Sequence, residues 1–190
     1  MGIQIESGTG NGQTVKVNLE NRLEVSSVGV TLEHHTNLDE GESYNALFAV
    51  NPEGADDCIF YLKNTSSSLL MIGSVWWQTS AAEEVYYKIG EIGTAVKTNG
   101  GDITPANLNA GSGNKASVTC YSNIADGAVD ITGLSGGNTV QKLWLTSAES
   151  TLFNCDQDII IPKNQAFTIY CVGGDTLLRG TVVFYFHAET

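Results

Sequence analysis

No stretch of this 190-residue chain sustains a 3.6-residue apolar period. What recurs instead is a short run of β-branched and aromatic residues closed by a turn, and that pattern admits strands but not packed helices. From Asp57 onward the runs cover residues 58–62, 69–78, 84–92, 116–121, 139–146, 158–161, 165–172 and 176–187. The breaks between them carry Gly-Gly, Asn-Gly, Asp-Gly or Pro, the residues that strand connections require. About eight strands in roughly 130 residues, joined by some long connections, predict an all-β, antiparallel two-sheet sandwich that is jelly-roll-like. An immunoglobulin-type sandwich is disfavoured because no Cys…Trp…Cys pattern falls on the expected strands. Thr104-Pro105-Ala106-Asn107-Leu108 places a cap residue before a proline, so one short helical turn is expected there.

Residues 1–55 have a different texture, mixing Gly, Asn and acidic residues with a few β-like runs. Residues 14–18 alternate, whereas the run holding Leu23, Val25, Val28, Val30 and Leu32 slips at Ser26-Ser27. Residues 33–42 read as an exposed loop. The expected organisation is therefore an extended N-terminal arm, 1–55, with one or two strands, followed by the sandwich domain, 56–190.

Charge narrows the partners. Nine basic residues against 21 acidic ones give a net charge of −12, a surface that repels phosphate backbones, so no nucleic acid is expected as a partner. The 42% hydrophobic and 16% charged fractions exclude a disordered chain. The most apolar stretch, 69–77, is interrupted by Gly73 and Ser74 and is far short of the ~20 residues of a spanning helix, so no membrane partner is expected. Met1 to Glu6 lacks a basic start and an apolar stretch, and the expectation is a soluble protein made in the cytosol. Cys58, Cys120, Cys155 and Cys171 form no C-x-x-C pair and are expected as free thiols in a reducing compartment.

Two strands have no polar face. In 69–77, Leu69, Met71, Val75 and Trp77 alternate with Leu70, Ile72 and Trp76; in 182–186, Val183 and Tyr185 oppose Val182, Phe184 and Phe186. Such strands need cover on both sides, and the arm together with a neighbouring subunit is the expected source. Arg22, Leu23, Val25, Trp76, Phe184 and Phe186 are the candidate oligomer or capsid-interface residues.

Chemistry-bearing motifs are sparse. There is no G-x-S-x-G, P-loop, G-x-G-x-x-G before a helix, or H-E-x-x-H. His34-His35 lies near Asp39, Glu40 and Glu42, but adjacent side chains of an extended segment point opposite ways, so a solvated loop is expected rather than a metal site. Asp126 to Asp130 lacks the ligand count of a calcium loop. The carboxylate pairs are Glu83-Glu84, Asp56-Asp57 and Asp156 with Asp158. Trp76, Trp77, Tyr86 and Tyr87 flank the first, as in a sugar-handling cleft, yet core or interface packing explains mid-strand aromatics more simply. No catalytic, metal or cofactor residue is expected.

Asn21-Arg22-Leu23-Glu24-Val25, then Gly41-Glu42-Ser43-Tyr44-Asn45 and Tyr61-Leu62-Lys63-Asn64-Thr65-Ser66, resemble segments of a family of tailed-bacteriophage virion proteins. The endings Ile161-Pro162-Lys163-Asn164-Gln165-Ala166-Phe167 and Gly180-Thr181-Val182-Val183-Phe184-Tyr185 are similar to that family's closing hairpin. The resemblance implies a non-enzymatic virion structural protein, foremost a capsid decoration (cement) protein or another head or tail accessory protein. Its expected partners are the phage major capsid protein and copies of itself, a trimer being favoured. Its expected location is the capsid exterior after assembly in the host cytoplasm. The alternative is a carbohydrate- or receptor-binding module of a head or tail fibre.

Overall fold

The computed structural model describes residues 32–52, 56–97, 101–122, 131–174 and 176–187. The chain divides into a unit of residues 1–31 and a unit of residues 32–190, and the fold is that of the second. A turn of α-helix, Leu32–His35, runs into a π-helical turn, Thr36–Glu40, that ends at Gly41 in the left-handed region. The expected open loop over 33–42 is thus helical. Side chains across the sequence tie it down: Asn109 Nδ2 donates to Asn37 O, Asn114 Nδ2 to Glu40 O, and Asn107 Nδ2 to Gly41 O.

Eleven strands follow: β1 (Ser43–Val50), β2 (Asp57–Asn64), β3 (Leu69–Thr79), β4 (Glu83–Lys97), β5 (Gly101–Asp102), β6 (Ala106–Asn107), β7 (Val118–Ser122), β8 (Ile131–Leu145), β9 (Ser150–Ile161), β10 (Ala166–Cys171) and β11 (Leu178–His187). They form a five-stranded sheet, β6-β1-β11-β3-β9, and a six-stranded sheet, β5-β7-β2-β10-β4-β8, with every pairing antiparallel. The pairing is nested: β4 with β8, β3 with β9, β2 with β10 and β1 with β11. One long antiparallel ribbon has been rolled so that alternate pairs fall in opposite sheets, which is the jelly roll.

The sandwich begins at residue 43, not 56. Tyr44, Ala46, Phe48 and Val50 point inward and are buried, while β1 pairs with β11 over its whole length. Ser43–Val50, assigned to the arm, is therefore the first strand of the roll, and its partner is the last; residues 1–31 of the expected arm lie outside the described residues. The run 116–121, expected among the eight main strands, yields the short strand β7, which lies between β2 and the two-residue edge strand β5. Ala106 and Asn107 form β6 at the edge of the other sheet, not a helical turn; Leu108 N–H donates to Ser43 O, and that edge bond replaces the helical one. The β4–β8 connection thus covers both sheet edges at the β1/β2 side, limiting edge-to-edge association there.

A bulge decides which way β3 faces. Val183 and Phe184 pair with Ser74 and Ile72, leaving Gly73 without an opposite residue. The side-chain parity slips by one there. Leu70, Ile72, Val75 and Trp77 all point inward and are fully buried, and Trp76 points out. Simple alternation through 69–77 therefore assigns the wrong sets. On β11 the alternation is unbroken, so Val182, Phe184 and Phe186 lie in the core: Phe184 is 0% and Phe186 2% exposed, with both rings packed against Tyr44. Neither is an interface residue. Burial of each contributes roughly 1.5–3 kcal/mol to the subunit itself.

All four cysteines are free and buried. Burial, and then the charges of Glu83 and Asp57, push the Cys171 thiol up to about 12, and burial also raises Cys58 and Cys120. A buried, protonated thiol is a poor nucleophile. The native protein should consume almost no thiol reagent at neutral pH and release all four thiols on denaturation. Rapid labelling of any cysteine in the folded state would contradict this packing.

Candidate functional site

The two outer faces of the sandwich differ. The distal half of the β4–β8 ribbon folds back over the six-stranded sheet, where Ala95, Ile131 and Leu134 pack on Cys58, Tyr61, Tyr86 and Tyr170. Gly93 and Gly133 make that bend feasible. Both have positive φ, and a Cβ on Gly93 would sit 2.1 Å from Gly133 O, so no side chain fits. Under the ribbon, Glu91 lies with its side chain 1% exposed, accepting hydrogen bonds of 2.6 Å from both Thr168 Oγ1 and Tyr170 Oη, with Lys88 Nζ at 3.7 Å. Lys88 in turn lies 4.4 Å from the Tyr170 ring centroid. Burial first, then the neighbouring thiol and carboxylate, raise the Tyr170 phenol's pKa, so it remains the donor. Sequence reading missed Glu91; a carboxylate inside an apolar strand run, with Gly on its preceding side, was the available signal.

The outer face of the five-stranded sheet is open over much of its area. At one end the turn Thr36–Glu40 packs against β11. Beyond it a row crosses four strands in register: Leu47 on β1, Thr181 on β11, Trp76 on β3 and Leu152 on β9. Leu47 is 62%, Trp76 37% and Leu152 64% exposed. Beside this row Ala49, Arg179 and Gln78 form the next one. Between the two rows lies a groove of about 460 Å³, floored by Phe48 and Gly180 and walled by Leu47, Trp76 and Arg179. A second groove of about 240 Å³ continues it past Gln78 and Arg179 towards Ser80 and Leu177. Among the described residues, Arg179 has no carboxylate partner.

This places Trp76 on an accessible face. Arg22, Leu23 and Val25, the other candidate interface residues, lie outside the described residues. His35 Nδ1 pairs with Asp39 Oδ2 at 2.5 Å, one helical turn apart, and no group of three or more metal-ligating side chains occurs among the described residues. Asp56 accepts a hydrogen bond from Tyr86 Oη at 3.0 Å, whereas Asp126, Asp130 and the side chains of Asp156 and Asp158 are outside the described residues. Glu83 and Glu84, adjacent in sequence, separate in space. Glu83 turns inward and accepts the Gly173 N–H at 2.7 Å and the Glu84 N–H at 3.0 Å; Glu84 turns outward to Lys142 Nζ at 3.2 Å.

No family model, curated protein or solved structure matches this chain. A row of exposed Leu and Trp side chains, broken by Thr181 and edged by a guanidinium with no carboxylate partner among the described residues, is the anatomy of a protein contact: aromatic and aliphatic groups to desolvate, and a charge to fix register.

Proposed function

We propose that this chain is a virion structural protein, a capsid decoration protein that docks through the outer face of its five-stranded sheet. The exposed row Leu47–Trp76–Leu152 carries the reading. Full burial of side chains of that size against a partner contributes roughly 1.5–3 kcal/mol each, and Arg179 would meet a carboxylate there. The resemblance at residues 21–25, 41–45 and 61–66 supports a phage particle, and the −12 charge suits a shell exterior away from packaged DNA. The partners in this reading are the major capsid protein and two further copies of the chain around a three-fold axis. Quantitative mass spectrometry of purified particles tests it directly. A cement protein appears in copy number comparable with the major capsid protein, and a much lower number overturns the assignment.

The docking face gives a second expected result. Trp76→Asp and Leu152→Asp, alone and combined, should abolish particle binding and reduce any oligomer to monomer, as read by light scattering. Being at exposed positions, they should change unfolding free energy by less than about 1 kcal/mol. Full occupancy by the double variant would remove this face from consideration. A sugar- or receptor-binding role on a head or tail fibre is the second reading, favoured by one feature of the other sheet, the exposed ring of Trp144.

A further inference from the structure

We propose that the groove beside Arg179 receives the Leu38–Glu40 tip of the helical turn of a neighbouring copy, so that this contact joins subunit to subunit. The inference rests on the docking face proposed above and specifies which part of it meets another copy. Leu152, at the β9 end of the exposed row, is left for the shell.

Leu38 is 64% exposed, yet the turn that carries it is fixed from outside. Asn109, Asn114 and Asn107 donate from Nδ2 to the carbonyls of Asn37, Glu40 and Gly41, and Ser112 Oγ adds a bond to Gly41 O at 3.1 Å. An apolar side chain presented on a pre-formed turn loses little freedom on docking. Of the large apolar side chains exposed among the described residues, Leu38 is the one followed directly by two acidic residues, Asp39 and Glu40. Asp39 is paired with His35. Glu40 is exposed and has no cationic partner among the described residues. Burial, and then the charge of Glu40, raise the pKa of the Glu42 carboxyl, so the tip is short of positive charge.

The groove is the complement of that tip. Phe48, Gly180, Leu47 and Trp76 line it, and Arg179 stands at its rim, exposed and without a carboxylate among the described residues. With Leu38 in the groove and Glu40 on the guanidinium, apolar burial supplies affinity and the ion pair fixes register. The turn cannot fill the groove of its own subunit. It is anchored at the far end of β11, where Phe186 N–H donates to Glu42 O, roughly 20 Å along the strand from Arg179. Each copy therefore gives one turn and receives another. In the ring of three proposed above, contacts of this one kind close on themselves.

Sedimentation velocity of the purified full chain, without particles, tests the pairing. The parent should self-associate at or below about 100 µM. Arg179→Glu and Glu40→Arg should each weaken association at least about tenfold, because like charges then meet across the contact. The double variant Arg179→Glu/Glu40→Arg should restore it. Leu38→Ser should also weaken it about tenfold or more. All three positions are exposed, so far-UV circular dichroism should be unchanged throughout. A parent chain that stays monomeric at about 100 µM overturns the inference. So does association that tolerates either single charge change, or a loss that the double variant does not reverse. The decoration reading stands or falls separately. A monomeric chain present in high copy on particles keeps that reading and ends this one; a chain that pairs through the turn but is scarce on particles does the reverse.

Discussion

Trp77→Ala is expected to destabilise the subunit by about 3–5 kcal/mol, the cost of emptying a large aromatic site in a close-packed core. Trp77 is fully buried, donates from Nε1 to Tyr87 Oη at 2.7 Å, and stands edge-on to Phe48 with centroids 5.3 Å apart. Phe48 itself fills the space above Gly180, where a Cβ would come within 2.4 Å of its ring. Removing the indole leaves a void between the sheets and a buried phenol without its donor. Since domains typically have only about 5–15 kcal/mol of stability, the melting temperature should fall by roughly 10 °C or more. The adjacent Trp76→Ala should cost under about 1 kcal/mol. Calorimetry of the pair is a sharp check, because equal effects from the two tryptophans would mean that the Gly73 bulge, and the inward set it creates, is wrong.

Glu91→Ala is the second large effect. The carboxylate accepts from the Tyr170 hydroxyl, which also meets the Cys58 thiol, and is the principal acceptor for Thr168, whose oxygen also lies 3.4 Å from Lys88 O. Its loss strands a buried phenol and removes the counter-charge at 3.7 Å from Lys88. At roughly 1–3 kcal/mol per unsatisfied buried group, a loss of about 2–4 kcal/mol in urea unfolding is expected. Glu91→Gln retains an acceptor of the same length and should recover more than half of it. If alanine and glutamine behave alike and stay within about 0.5 kcal/mol of the parent, the buried network contributes nothing to stability.

The β-sandwich was legible because its signals are local. Strand runs, turn residues and the absence of a helical period each sit within a few residues of one another, and all eight runs named from the pattern prove to be strands. The first strand of the roll, Ser43–Val50, was not legible as part of the sandwich: Leu47 and Ala49 blur the alternation of Tyr44, Ala46, Phe48 and Val50, and the polar residues around them made the segment resemble an arm. Local alternation could not reveal the parity slip at Gly73. A bulge is defined by the partner strand, and only pairing with Val183 and Phe184 shows that Gly73 has no opposite number.

The functional faces divide in the same way. The sequence alone established that aromatic residues crowd two strands, and that few motifs of known chemistry are present. Whether a given ring is core or surface was settled by tertiary structure, because burial is a property of layers, not of neighbours in the chain. Trp76 and Trp77 differ by one position and by the whole thickness of a sheet. Phe184 and Phe186 went to the core because β11 is central, flanked by β1 and β3. Glu83 met the Gly173 N–H only when rolling one ribbon into two sheets brought β4 beside β10.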